Sequence, residues 1–159
     1  MNNMNTVELY VHGLSLWNNV GGYAAILIYG ERRKELAGGF QSTTSNRMTL
    51  IAVIEGLKAL KAKCHVVIRS QNLYLIESMA KGWVQRWRDN GWTNSERNPT
   101  PNVDLWTQLL TLGEQHELDF VWLERGEAAP EHKRCELLAR QAAKRNDLPL
   151  DAGVKDGQT

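Results

Sequence analysis

Apolar and polar residues alternate one for one near the start of the chain: Val7, Leu9 and Val11 against Glu8, Tyr10 and His12. A period of two is that of a half-buried strand. Gly13 is expected to end it, leaving His12 at the strand's mouth, where α/β folds place their chemistry. Residues 23–29 are rich in apolar and β-type residues and predict a second strand. Gly30-Glu31-Arg32 predicts a hairpin turn, and residues 34–41 a third strand with a bulge at Gly38-Gly39. The three make an antiparallel meander. Residues 42–45 are helix-capping types, and after them the period changes. Met48, Leu50, Ile51, Val53, Ile54, Leu57, Ala59 and Leu60 recur mostly at three- and four-residue steps, which predicts a helix with a wide buried arc.

Residues 65–69 predict a short strand that returns parallel to the first. Residues 70–72 cap a helix over 73–80. A tryptophan-rich segment over 83–92, closed by Gly91, is followed by a polar loop and a helix from about 103 to 112, stopped by Gly113. Residues 117–123 alternate again as a last strand, and 131–145 form an amphipathic helix with Cys135, Leu138, Ala139 and Ala142 on one side. The fold class is α/β: a mixed five-stranded sheet, three strands antiparallel and then parallel ones, flanked by helices.

With 159 residues, 42% of them hydrophobic, the chain fits one domain over 6–146. Residues 1–5 read as a polar extension and 147–159 as a flexible polar tail. The net charge of +1 excludes a broad basic field, so any nucleic-acid contact must come from a local patch. Two cysteines, Cys64 and Cys135, are too few for a disulfide framework and are expected to behave as small apolar groups. With no signal-like or membrane-length apolar run, a cytoplasmic protein with no membrane partner is expected. His65, His116 and His132 are expected to be ordinary surface or edge histidines.

Several local words stand in order: Gly-Gly-Tyr at 21–23, Thr-Thr-Ser-Asn-Arg-Met at 43–48, Leu-Lys-Ala-Leu-Lys at 57–61 and Gly-Trp at 91–92. Asn-Val-Asp-Leu-Trp at 102–106 and Pro-Glu-His-Lys-Arg-Cys-Glu-Leu-Leu-Ala-Arg at 130–140 complete the set. With the element order, they resemble bacterial type 1 ribonuclease H over roughly residues 6–145. The resemblance implies cleavage of the RNA strand of an RNA–DNA hybrid by two divalent ions, magnesium or manganese, on four carboxylates. Two such ions, about 3.5–4 Å apart, clamp the attacking and leaving oxygens.

Carried over residue by residue, the four carboxylate positions fall on His12, Thr49, Gln71 and Glu136. A mobile histidine that assists the chemistry falls at or near Gly126. Three carboxylates are thus replaced and the fourth is one methylene longer. A unit charge pair at 4 Å is worth about 4 kcal/mol at an effective dielectric near 20, so three losses remove on the order of 10 kcal/mol. Micromolar binding amounts to only about 8 kcal/mol in total. No metal and no other cofactor is therefore expected.

The leading expectation is a ribonuclease H-like pseudoenzyme acting as a binding subunit of a protein or nucleoprotein assembly. The alternative is a binder of RNA–DNA hybrid or single strands that does not cut. Third comes an endonuclease with ligands repositioned from Glu124, Glu127 or Glu136. By the resemblance, Asn18, Asn19, Thr44 and Asn46, with Ser45, contact sugars and base edges. The resemblance also implies a basic handle, here residues 82–101, in which Arg86, Trp87, Arg88, Trp92 and Arg97 stand beside Trp83. Asp89 and Glu96 offset two of its three arginines, so the handle's grip on hybrid is expected to be weak. Arg69 and Gln71, with His12 and Thr49, are expected to leave the former metal pocket neutral to mildly positive and open to a phosphate or a carboxylate.

Overall fold

The computed structural model describes residues 4–125 and 129–153. Three strands come first: β1 (Asn5–Ser15), β2 (Gly21–Tyr29) and β3 (Arg32–Phe40). Then follow α1 (Ser45–Lys58), β4 (Cys64–Ser70), α2 (Leu73–Ala80), α3 (Trp83–Asp89), α4 (Val103–Gly113), β5 (Glu117–Trp122) and α5 (Pro130–Ala143). The sheet runs β3-β2-β1-β4-β5. β1 pairs antiparallel with β2 and parallel with β4, and β4 pairs parallel with β5. The mixed five-stranded sheet expected from the periodicities is the one observed.

The period of two along β1 divides the core. Val7, Leu9 and Val11 join Ala25, Leu27, Val66 and Ile68 against α1, where Met48, Leu50, Val53 and Leu57 are buried. Tyr10 and Leu14, with Ala24 and Ile26, face the other way and pack on Cys135, Ala139 and Ala143 of α5. Both cysteines are free and buried, as small apolar residues are. Thr44 caps α1, its hydroxyl accepting from the Arg47 amide at 3.2 Å. No described helix is long and apolar enough to cross a membrane.

Gly13 does not end β1. The strand runs on to Ser15, and Gly13 pairs with Tyr23. Its glycine answers to packing: a β-carbon there would collide with the Thr49 amide and lie 2.6 Å from the Met48 carbonyl carbon. The bare backbone lets the start of α1 rest on β1. Nor is there a bulge at Gly38-Gly39, since these residues pair in unbroken register with Tyr23 and Gly22. A side chain at Gly38 would meet the Tyr23 ring.

The expected tail is partly a strap. Leu150 bridges Gln41, whose amide donates to the Pro149 carbonyl at 2.7 Å. Asp151 is buried and accepts from the Thr43 hydroxyl at 2.7 Å and from Arg47 Nε at 2.7 Å. Arg47, 1% exposed, also donates to Asp104 and Asn102. This network closes the end of the domain over α1 and α4. Residues 1–3 of the expected extension and 154–159 of the expected tail lie outside the described residues.

Candidate functional site

β1 and β4 run parallel, so their C-terminal ends lie side by side. A cleft of about 190 Å³ opens there, lined by His12 and Gly13 from β1, Ser45 and Thr49 from α1, Ser70, Gln71 and Asn72 after β4, and Arg125 after β5. Three of the four resemblance-derived positions, His12, Thr49 and Gln71, thus share one recess. Asn72 ties its walls: its amide donates to Asn46 Oδ1 at 3.0 Å and to Thr49 Oγ1 at 3.3 Å, and its Oδ1 caps the Leu75 amide. The Thr49 hydroxyl donates to the Ser45 carbonyl one turn back, at 3.0 Å. Thr44 and Asn46 thereby act as structural ties beside the cleft.

Behind His12 stands a second histidine. His132 is fully buried rather than on the surface, edge-on to His12 with ring centroids 5.3 Å apart. Among the described residues, neither of its ring nitrogens has a hydrogen-bond partner. A signal was present: His132, Cys135, Ala139 and Ala142 share the buried stripe of α5. Burial holds His12 down at about 4; the His132 ring adds to the effect and the Glu136 carboxylate opposes it. Burial lowers His132 as well, again against Glu136. Both imidazoles are therefore neutral near pH 7. Glu136, the fourth resemblance-derived position, lies near this pair without lining the cleft.

These residues do not fit a pair of divalent ions. Among the described residues, no group of three or more His, Cys, Asp or Glu is placed to hold a metal. The cleft presents imidazole, hydroxyl and amide groups, whereas magnesium takes charged oxygen ligands. Glu124 is exposed and is not among the residues lining the cleft. Glu127 and the Gly126 position lie outside the described residues.

Arg69 does not supply the positive charge expected of it. Alternation along β4 turns it away from the buried Ile68 and Ser70, and Glu8 takes its guanidinium at 3.1 Å. Arg125, which the sequence reading did not select, lines the cleft in its place.

The handle splits its candidates. Arg86 and Trp87 line a groove of about 440 Å³ with Trp83, Asn90, Asn94 and Ser95. Trp87 also rests edge-on against the buried Trp106, which fixes its ring. Arg88 lies 3.6 Å from Asp89 and lines a different recess with Met79 and Leu109. Trp92 and Arg97 adopt left-handed backbone, φ 65° each, and do not line the groove. Asn18 and Asn19 sit in the exposed turn after β1, where Asn18 Oδ1 accepts from the Val20 amide at 3.3 Å. The Asn19 carbonyl accepts from the Thr43 amide at 2.9 Å, joining that turn to the lead-in of α1.

The profile of the RNase H family matches residues 4–144. A protein of Syntrophus aciditrophicus named ribonuclease H is 45% identical over 148 residues, 92% of this chain and 86% of its own length. Another of that name, from Desulforamulus reducens, is 42% identical over 150 residues, 94% of each chain. Among solved structures, LC9-RNase H1, a type 1 RNase H with the type 2 active-site motif, superposes with a TM-score of 0.79. It is 22% identical and covers 90% of this chain and 74% of its own. LC11-RNase H1, solved in complex with an RNA/DNA hybrid, gives 0.63 at 15% identity, over 86% of this chain and 96% of its own. The named relatives overturn the expectation of a pseudoenzyme serving as an assembly-binding subunit. At such identity over nearly the whole chain, they point to ribonuclease H.

Proposed function

The chain belongs to the ribonuclease H family, and from that premise we propose that it works on RNA–DNA hybrids, with the duplex engaged at the His12–Thr49–Gln71 cleft and at the α3 groove. The observation that carries this reading is the open polar cleft at the family's site. Its rim of hydroxyls and amides from Ser45, Thr49, Gln71 and Asn72 has the chemistry to meet ribose 2′-hydroxyls and phosphate oxygens. The α3 groove adds the Arg86 guanidinium, suited to a backbone phosphate, beside the faces of Trp83 and Trp87. The solved LC11 relative with its bound hybrid supports the same substrate class by analogy of fold. Hybrid recognition is the part of the family's work that these residues carry. Hydrolysis through two divalent ions does not follow from this donor set, in which, among the described residues, no carboxylate lines the cleft and Glu136 stands beside it. The cytoplasm suits two free, buried thiols.

Fluorescence anisotropy with a labelled hybrid, against DNA duplex of the same sequence, tests the reading. Among the described residues, Arg86, Arg97 and Arg125 are exposed guanidiniums on or near the proposed path without an ion-pair partner. Each phosphate neutralised contributes about −0.9 to the slope of log K against log salt, so a slope of about −3 is expected, with hybrid preferred over DNA. No preference for hybrid, or a flat salt response, would refute it.

A further inference from the structure

A family cleft lined by carboxylates needs cations before an anionic phosphate can enter. Here that electrostatic demand is reversed. Among the described residues lining the cleft none is a carboxylate, and Arg125 carries the single formal charge. Ser45 and Gln71 offer a hydroxyl and an amide donor, while the Asn72 amide is spent on Asn46 and Thr49. Ser45 begins α1 and Asn72 caps α2, so both helix starts border the same space, and helix starts carry partial positive charge. At about 190 Å³ the cleft is smaller than the ~300–1,000 Å³ of pockets for drug-sized ligands, yet open at its mouth.

A second feature lies behind it, on the far side of His12. His132 is fully buried, both its ring nitrogens unpartnered among the described residues, and packs edge-on against His12, which faces the cleft. Unpartnered buried nitrogens are costly. The groups acting on His12 are the His132 ring, Glu136 and Arg140, all on α5. Arg125 adds positive charge from the loop after β5.

We propose that the cleft between the ends of β1 and β4 binds the nucleic-acid phosphodiester directly, with Arg125, Gln71, Ser45 and His12 as its contacts and no divalent ion in between. This deepens the hybrid-binding reading and rests on it for the identity of the polymer. The cleft then recognises phosphate through its own donors rather than through bound cations.

Two measurements decide it. In the first, inorganic phosphate is titrated into the full chain while the His12 ring and Arg125 side-chain NMR signals are followed. Saturable shifts at both, with the His12 response lost in Arg125→Ala, are expected; no shift overturns the proposal. In the second, hybrid affinity is compared in magnesium and in EDTA. The two dissociation constants should agree within about twofold, whereas Arg125→Ala and Gln71→Asp should each weaken binding about tenfold in EDTA. Binding that vanishes in EDTA, or that neither variant changes, overturns the inference while leaving hybrid recognition intact. If hybrid is bound in neither buffer, the functional reading fails, and the phosphate titration alone decides the cleft's chemistry. Arg125 is exposed, so its alanine variant removes no buried packing.

Discussion

Replacing His12 with asparagine should flatten the acid side of the stability profile. In the unfolded chain the imidazole titrates near 6.5, whereas burial in the fold holds it down at about 4. Above about pH 6.5 both states are neutral at this residue and stability is independent of pH. As the pH falls, the unfolded chain takes up the proton first and the folded chain refuses it, so stability drops toward acid. From 6.5 to about pH 5 is one and a half units at 1.36 kcal/mol each, a loss of about 2 kcal/mol. His132, lowered in the same direction by burial, adds to the slope, and Glu136 works against both. The Arg47 guanidinium holds the Asp104 and Asp151 carboxyls below their usual range, so they stay ionised at pH 5 and contribute little to the slope. Urea denaturation followed by tryptophan fluorescence, at about pH 7 and about pH 5 and constant ionic strength, reads the difference directly. The parent chain should lose about 2 kcal/mol more than His12→Asn. Equal losses in the two proteins would show that His12 is not held neutral by the fold.

Two further outcomes follow from the cleft and the strap. Substituting His12→Asp, Thr49→Glu, Gln71→Asp and Glu136→Asp together supplies the four carboxylates that the family resemblance calls for. Magnesium should then raise the melting temperature and hybrid cleavage should exceed the parent's by about a thousandfold, since metal stabilisation of the transition state is worth several kcal/mol. A folded quadruple variant with neither response would mean that the backbone at the cleft no longer presents a metal geometry. Asp151→Ala removes a buried partner of Arg47 and should cost about 3 kcal/mol in urea denaturation. A loss under about 1 kcal/mol would show that Asp104 and Asn102 suffice to hold that guanidinium.

Much of this molecule is written in one-dimensional pattern. The alternation of Val7, Leu9 and Val11, the stripe from Met48 to Leu57 and the caps at Thr44 and Asn72 were enough to order the five strands and the helices. Each such signal is a property of a single element, whose period reflects one buried face. The register by which the resemblance lays the family's carboxylate positions on His12, Thr49 and Gln71 came from words such as those at 21–23, 43–48 and 57–61 and from the spacing between them. The tertiary structure decided what depends on two elements meeting. Gly13 is needed because α1 lies against its backbone, a fact about α1 that the run from Val7 to Gly13 does not contain. His132 is buried because α5 crosses the sheet at His12, and Arg125 replaces Arg69 at the cleft because Glu8, two residues from Tyr10 on β1, claims Arg69 across the β1–β4 pair. Residues 148–151 read as polar tail because an ion pair with the distant, buried Arg47 leaves no periodicity behind. Local pattern determines which face of an element seeks burial, while long-range approach decides which polar group finds a partner and which is left to bind something else.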